Sequence, residues 1–178
     1  MAQDRSLTGV ERTFELSEMI VSKTDLKGRI TYVNDTFLKV AGYTTDECLG
    51  QPHSMIRHPD MPRCVFKLLW DTVATGFEIF AYVLNRAKNG DHYWVVAHVT
   101  ATMNDDTGEV LAYHSSRRSP SRAAIEAIMP LYAKLKAEED RHSDRKAGLQ
   151  ASTDMLLGIL EDANLSYDQF VFSVINGS

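Results

Sequence analysis

The stretch Phe77-Glu78-Ile79-Phe80-Ala81-Tyr82-Val83-Leu84-Asn85-Arg86-Ala87-Lys88-Asn89-Gly90-Asp91-His92-Tyr93-Trp94-Val95-Val96-Ala97-His98-Val99-Thr100-Ala101-Thr102-Met103 reads as two β-strands joined by a turn. β-branched and aromatic residues fill both arms, and Asn89-Gly90 between them is a hairpin signal. Alternation assigns the faces. Odd positions give Phe77, Ile79, Ala81, Val83 and Asn85 on the first arm and Tyr93, Val95, Ala97, Val99 and Ala101 on the second. If that face is inward, Asn85 places one amide at the end of an apolar row, with Ala81, Ala97 and Ala101 leaving space beside it. A primary amide both donates and accepts, which suits the alternating carbonyl and N–H edge of a flavin or a similar ring.

Outward from the hairpin, Asp105-Asp106-Thr107-Gly108 turns the chain into a third strand from Val110 to Arg117. Upstream, Met19–Thr24 and Ile30–Val33 are short β-rich runs joined through Gly28, which supplies the positive φ of a tight turn. Asn34 is placed to cap a helix running to Ala41, and Thr44-Thr45-Asp46-Glu47 is a capping box. Phe66, Leu69, Trp70 and Val73 fall on one face of a helix that stops at Gly76. The order is strand, strand, short helices, long helix, three strands, an α+β arrangement with a five-stranded antiparallel sheet.

Between the capping box and the long helix lies Arg57-His58-Pro59-Asp60-Met61-Pro62, a cation, an imidazole and a carboxylate set among prolines. Spacing alone fits a binding site and a solvated loop with a local ion pair equally well. Asn34 reads as a helix cap before it reads as a ligand. Trp70 is a core residue by default, although a pocket wall is also core from the side of the sheet. His92 and His98 lie in or beside the hairpin and read as structural or solvent-facing, while His53, after Pro52, is open between roles.

The remaining sequence bounds the function. The chain has 178 residues and a net charge of -5, a balance that argues against nucleic acid or an anionic membrane as the main partner. No apolar run is long enough to span a bilayer, and Met1-Ala2-Gln3-Asp4-Arg5 has no signal-peptide core, so a cytoplasmic protein without direct membrane insertion is expected. Cys48 and Cys64 form no CxxC pair and read as reduced structural thiols. Nucleophile-elbow, P-loop, zinc-protease and kinase motifs are missing, so no enzyme is expected.

Taken together, Thr24-Asp25-Leu26, Ile30-Thr31, Asn34-Asp35-Thr36-Phe37, Gly42-Tyr43-Thr44, Gly50-Gln51-Pro52-His53, Arg57 to Pro62, Trp70, Asn85-Arg86 and Lys88 to Trp94 resemble the FAD-binding PAS domain of bacterial aerotaxis receptors. The resemblance covers about residues 19–118. It implies the PAS fold, in which helices over one face of the sheet enclose a cofactor pocket. It also implies non-covalent FAD, redox sensing and output to chemotaxis. The candidate cofactor residues on this reading are Asn34, His53, Arg57, His58, Asp60, Phe66, Trp70 and Asn85. Arg57, His58 and Asp60 are associated with holding FAD in that family, while Trp70 and Asn85 match positions at the isoalloxazine.

One departure is Ile79, where such domains carry a tryptophan. A second is architectural: the aerotaxis receptor continues into a membrane anchor and signalling coiled coil, and none is expected here. The chain is similar in this respect to the stand-alone PAS subunits of bipartite energy-taxis systems, which implies a membrane-bound methyl-accepting chemotaxis-type transducer as partner. The alternative reading is a non-flavin PAS interaction module that senses a small molecule or a haem ligand. A photoadduct of the light-oxygen-voltage type needs a reactive cysteine where Arg57-His58-Pro59 stands, and the long helix offers no axial histidine for haem.

Three segments are expected: an N-terminal helical cap over 1–18, the sensor over 19–118 and a helical tail over 119–178. Phe14-Glu15-Leu16 would be helical and join a homodimer interface. In the tail, Ile125, Ile128, Met129, Tyr132 and Leu135 form one apolar stripe despite Pro130, and Lys134–Lys146 reads as a solvated charged helix. Met155, Leu156, Ile159, Leu160, Tyr167, Phe170, Val171 and Val174 form a second stripe that must pack on the core, on another copy or on the transducer.

Overall fold

The computed structural model describes residues 6–175. Its sheet contains β1 (Ile20–Thr24), β2 (Ile30–Val33), β3 (Ile79–Arg86), β4 (His92–Met103) and β5 (Val110–Arg118) in the order β2-β1-β5-β4-β3, every neighbour antiparallel. Helices α1 (Asp35–Ala41), α2 (Thr45–Cys48) and α3 (Arg63–Val73) lie between β2 and β3, with a 3₁₀ turn at His53–Ile56. The α+β expectation with a five-stranded antiparallel sheet is met.

The local signals explain these boundaries. Asn34 Oδ1 accepts from Phe37 N at 3.0 Å and opens α1, and Thr44 and Glu47 close the reciprocal capping box of α2. β3 and β4 pair from Ile79↔Val99 to Arg86↔His92, which puts Ile79, Ala81, Val83 and Asn85 on one buried face with Tyr93, Val95, Ala97 and Val99. Phe77 is a correction to this row. The chain turns through Gly76 and enters the strand only at Ile79, leaving Phe77 71% exposed.

The N-terminal segment is also corrected, and the first five residues of the expected cap lie outside the described residues. From Ser6 to Met19 there is no helix. The segment runs beside the start of β4 instead, with Thr8 N donating to Gly90 O, His92 N to Val10 O and Arg12 N to His92 O. Asp91 holds it: Thr8 Oγ1 donates to Asp91 at 2.6 Å and Arg12 Nε at 2.8 Å. A backbone strip with a free strand end to pair against forgoes the helix. Gly90 is required there, since its φ is +97° and a Cβ would stand 2.0 Å from Ser6 O.

The tail consists of α4 (Arg122–Asp140), α5 (Arg145–Asp162) and α6 (Tyr167–Ile175), and it wraps the β3 edge of the sheet. α5 packs on α3, whereas α6 packs on β3 and on α4. The outward hydrogen-bonding groups of β3 are taken up one after another. Phe80 N donates to Asp168 at 3.0 Å, Tyr132 Oη donates to Tyr82 O at 2.6 Å, and Leu84 N meets Met61 Sδ at 3.4 Å. An open sheet edge is thereby covered.

The second apolar stripe therefore packs on the core. Met129 leaves the first stripe and is 49% exposed, while Ile125, Ile128, Tyr132 and Leu135 are buried. The charged run is not a solvated helix throughout. It breaks between Asp140 and Arg145, and Glu139 within it is 2% exposed. Glu139 accepts from Cys64 N at 3.0 Å, Ser152 Oγ at 3.0 Å and Arg63 Nε at 3.0 Å. Because Pro62 offers no capping side chain, this carboxylate from the tail caps α3. Gly148 permits the close approach of α5, since a Cβ there would stand 2.5 Å from Glu139 O.

Candidate functional site

A cavity of about 620 Å³, its open mouth included, lies between α3 and the buried face of the sheet. α3 contributes Phe66, Leu69 and Trp70. β3 and β4 contribute Val83, Asn85, Ala97 and Val99, and β5 contributes Tyr113, Ser115 and Arg117. Ser22 and Thr24 of β1 and the 3₁₀ turn with His53 and Arg57 complete the wall. Trp70 meets Tyr113 edge-on at 5.3 Å between ring centroids, and both also line a shallower outer groove that passes over Lys27 and Gly28. His53, Ser54 and Arg57 are also shared by the two spaces, so these five residues form the neck between them.

No carboxylate lines the inner cavity, and its charge is positive. Arg117 is 3% exposed, donates to Ser22 Oγ at 2.5 Å and lies 2.7 Å from His53 Nε2. A guanidinium has no acceptor, so His53 Nε2 accepts and the imidazole proton sits on Nδ1. Burial first, and then the Arg117 and Arg57 charges, push the His53 pKa well below the ordinary imidazole value, so the ring is neutral. Burial lowers Arg117 to about 10. Arg117 Nη1, Arg57 Nε and Thr24 Oγ1 are buried without a hydrogen-bond partner. A set of unmet donors in an apolar slot is complementary to an occupant rich in acceptors.

The candidate residues separate into two groups. His53, Arg57, Phe66, Trp70 and Asn85 all line the cavity. Arg57 lies over the Phe66 ring at 3.8 Å and pairs with Asn85 as an isolated antiparallel bridge, which joins the charged cluster directly to the end of β3. Asn34, His58 and Asp60 do not line it. The Asn34 amide is spent on structure, accepting from Val21 N and Phe37 N and donating to Met19 O at 2.8 Å. His58 Nδ1 accepts from Asp60 N at 3.1 Å and stands 3.8 Å from the Asp60 carboxylate, whose side chain is 71% exposed. This pair shapes the loop that presents Arg57.

Arg117, Ser22, Thr24 and Tyr113 are cavity residues that the sequence did not single out. Alternation on β5 could have marked Tyr113, Ser115 and Arg117 as one face. Cys48 and Cys64 are both buried outside the cavity, and burial raises both thiol pKa values, Cys64 to about 11. Among the described residues, no group of three or more His, Cys, Asp and Glu side chains could hold a metal ion. Nor is any helix among them long and apolar enough to cross a membrane.

The family model for the PAS fold matches residues 30–117. Residues 30–117 form a PAS domain. The aerotaxis receptor of Escherichia coli is 45% identical over 118 residues, which are 66% of this chain and 23% of that receptor. The nitrogen fixation regulatory protein of Klebsiella pneumoniae is 27% identical over 107 residues, 60% of this chain and 21% of that protein. The chain thus spans about a quarter or less of the length of these relatives. Among solved structures, a light-oxygen-voltage domain studied with a flavin analogue superposes with a TM-score of 0.57 at 21% identity, covering 71% of this chain and 90% of that one. That likeness supports the PAS fold. The PAS domain is thus similar to the corresponding part of the aerotaxis receptor.

Proposed function

We propose that this PAS domain binds FAD non-covalently and reports the redox state of the cell, in the cytoplasm, to a chemotaxis transducer. The observation that carries the reading is the cavity itself, apolar and aromatic in its walls, free of carboxylates and edged by Arg57, Arg117 and Asn85. The polar atoms that the fold leaves unmet suit a flavin. Arg117 Nη1, Arg57 Nε and Thr24 Oγ1 are donors or acceptors without partners at its wall, in keeping with a heterocycle that carries several carbonyl and ring-nitrogen acceptors. Trp70, Phe66 and Tyr113 supply the flat apolar surfaces that such a ring needs.

A bound flavin supplies reversible electron uptake with a change of protonation on its ring system. The protein contributes position and readout. Asn85 offers an amide that turns donor or acceptor toward the occupant. Arg57 bridges to the same strand position and fixes the lip of the cavity. The neutral His53 orients the Arg117 cation without neutralising it. Both walls of the cavity are held by the tail: Tyr132 and Asp168 grip β3, and Glu139 caps α3. A small displacement of either wall alters these contacts, and we assign the tail, with a second copy of the chain as homodimer partner, as the surface the transducer reads.

The test is spectroscopic. Protein purified from cells should be yellow, should bleach with dithionite and should recover in air. A colourless protein that gains no flavin spectrum on incubation with FAD would leave the non-flavin interaction module as the better reading. Haem ligation through His53 has the Arg117 contact at Nε2 against it.

A further inference from the structure

A second space lies where the PAS domain meets the turn between α4 and α5. It is an open groove of about 1,120 Å³ with its solvent side included, and Arg57 lines both it and the cofactor cavity. Five cations line it: Arg57, Arg63, Arg86, Lys136 and Arg145. Its two carboxylates are committed. Glu139 is bound to Arg63, Cys64 N and Ser152, and Asp140 is paired with Lys136. Arg86 is 7% exposed, and its Nε and Nη2 are buried without a partner. A guanidinium taken from water and left without an acceptor is unfavourable, and one that lines a groove with further cations favours an anionic occupant. The planar fork of a guanidinium matches the paired oxygens of a phosphate, whereas a spherical halide offers it a single acceptor.

We propose that this groove is a phosphate-binding site, centred on Arg86 and closed from the tail side by Arg145. Arg145 is exposed at the start of α5, and its backbone carbonyl accepts from Arg63 Nη1 at 2.9 Å, so it sits beside the Glu139 cap. The Arg86 charge also reaches His58, whose pKa is lowered chiefly by burial. The occupant joins core to tail: a phosphate held by Arg86 and Arg145 ties the end of β3 to the first turn of α5. It is either the diphosphate of a dinucleotide whose ring enters the neighbouring cavity past Arg57, or a separate phosphate ligand. The site stands on its own charges, whatever fills the cavity.

Inorganic pyrophosphate titrated into the full chain by calorimetry, at fixed ionic strength, tests this in flavin-free and FAD-saturated samples. In the flavin-free sample saturable binding is expected, and Arg86→Gln should weaken it about tenfold or more. Arg145→Gln, on an exposed position, should weaken it about threefold and serves if the Arg86 variant does not fold. Arg118→Gln, an exposed cation outside the groove, should leave binding unchanged. Loss of pyrophosphate binding on FAD saturation assigns the site to the cofactor's own diphosphate, and retention assigns it to a separate ligand. No saturable heat in the flavin-free chain, or equal weakening in Arg118→Gln, overturns the proposal. Absorbance of the same samples reports FAD retention separately, so a failed flavin reading leaves the flavin-free titration to decide the site.

Discussion

His53 carries a pH dependence that follows from its surroundings. Its pKa is held well below the ordinary value by burial and by two guanidinium groups, whereas in the unfolded chain it titrates near 6.5. Above that pH both states are neutral at this position and nothing changes. Below it the unfolded state takes a proton that the folded state refuses, so stability falls as pH falls, by up to about 1.4 kcal/mol per pH unit for each such proton. His58 and His114, lowered chiefly by burial, act in the same direction. His53→Gln should therefore flatten the stability profile between pH 6.5 and 5 by about one proton, measured by urea unfolding at several pH values. At Asn85 the expectation is functional. Asn85→Ala should leave thermal unfolding within a few degrees of the parent while releasing FAD during gel filtration, and unchanged flavin content would remove Asn85 from the binding set. Asn85 was legible in the sequence because an amide at the end of an apolar row stands out against strand alternation. Arg117 was not, since Arg117-Arg118 at a strand end reads as an exposed basic pair, and only its position opposite β1 buries one of the two.

Among the elements, α3 depends on a group from outside itself. Its first turn contains no acidic residue and follows proline, and its cap arrives from Glu139, 75 residues later. Glu139→Ala would leave Cys64 N without an acceptor in a buried setting and remove the Arg63 ion pair, a loss of about 3 kcal/mol, with Glu139→Gln retaining an acceptor and losing less. Chemical denaturation of the two variants checks the order. The N-terminal segment rests on Asp91, whose carboxyl is lowered to about 2 by hydrogen bonds from Thr8, Arg12 and Asn89 and so is ionised at neutral pH. Asp91→Asn should raise hydrogen exchange at the Thr8 and Arg12 amides while leaving exchange in β4 beyond Tyr93 unchanged. Capping boxes and turns were readable here because each is decided within four residues. A single buried acid in a charged helix was not, because its partners lie on α3 and α5 and the composition of Lys134–Lys146 is that of a solvated surface.

For the molecule as a whole, the question is what the tail does for a sheet that ends in β3. The order of elements along the chain could be read from the sequence of turns, and the second apolar stripe announced that the tail needed a surface to cover. Which surface depended on the unpaired groups of β3, and these exist only once the sheet is ordered with β3 outermost. Without the tail, Phe80 N and Tyr82 O would be left open along this edge, flanked by the Phe80 and Tyr82 side chains. Removing residues 121–178 should therefore do more than subtract stability. It would open an edge able to pair with another copy, and it would uncap α3 in the same step. The truncated chain is expected to sediment as a concentration-dependent oligomer under conditions where the full chain keeps a fixed mass. Placing a lysine at Leu84 in the truncated chain should suppress that association by setting charge along the open edge. A truncated chain whose mass is independent of concentration would mean that the tail is not needed to shield β3, and its role would then reduce to the Glu139 cap.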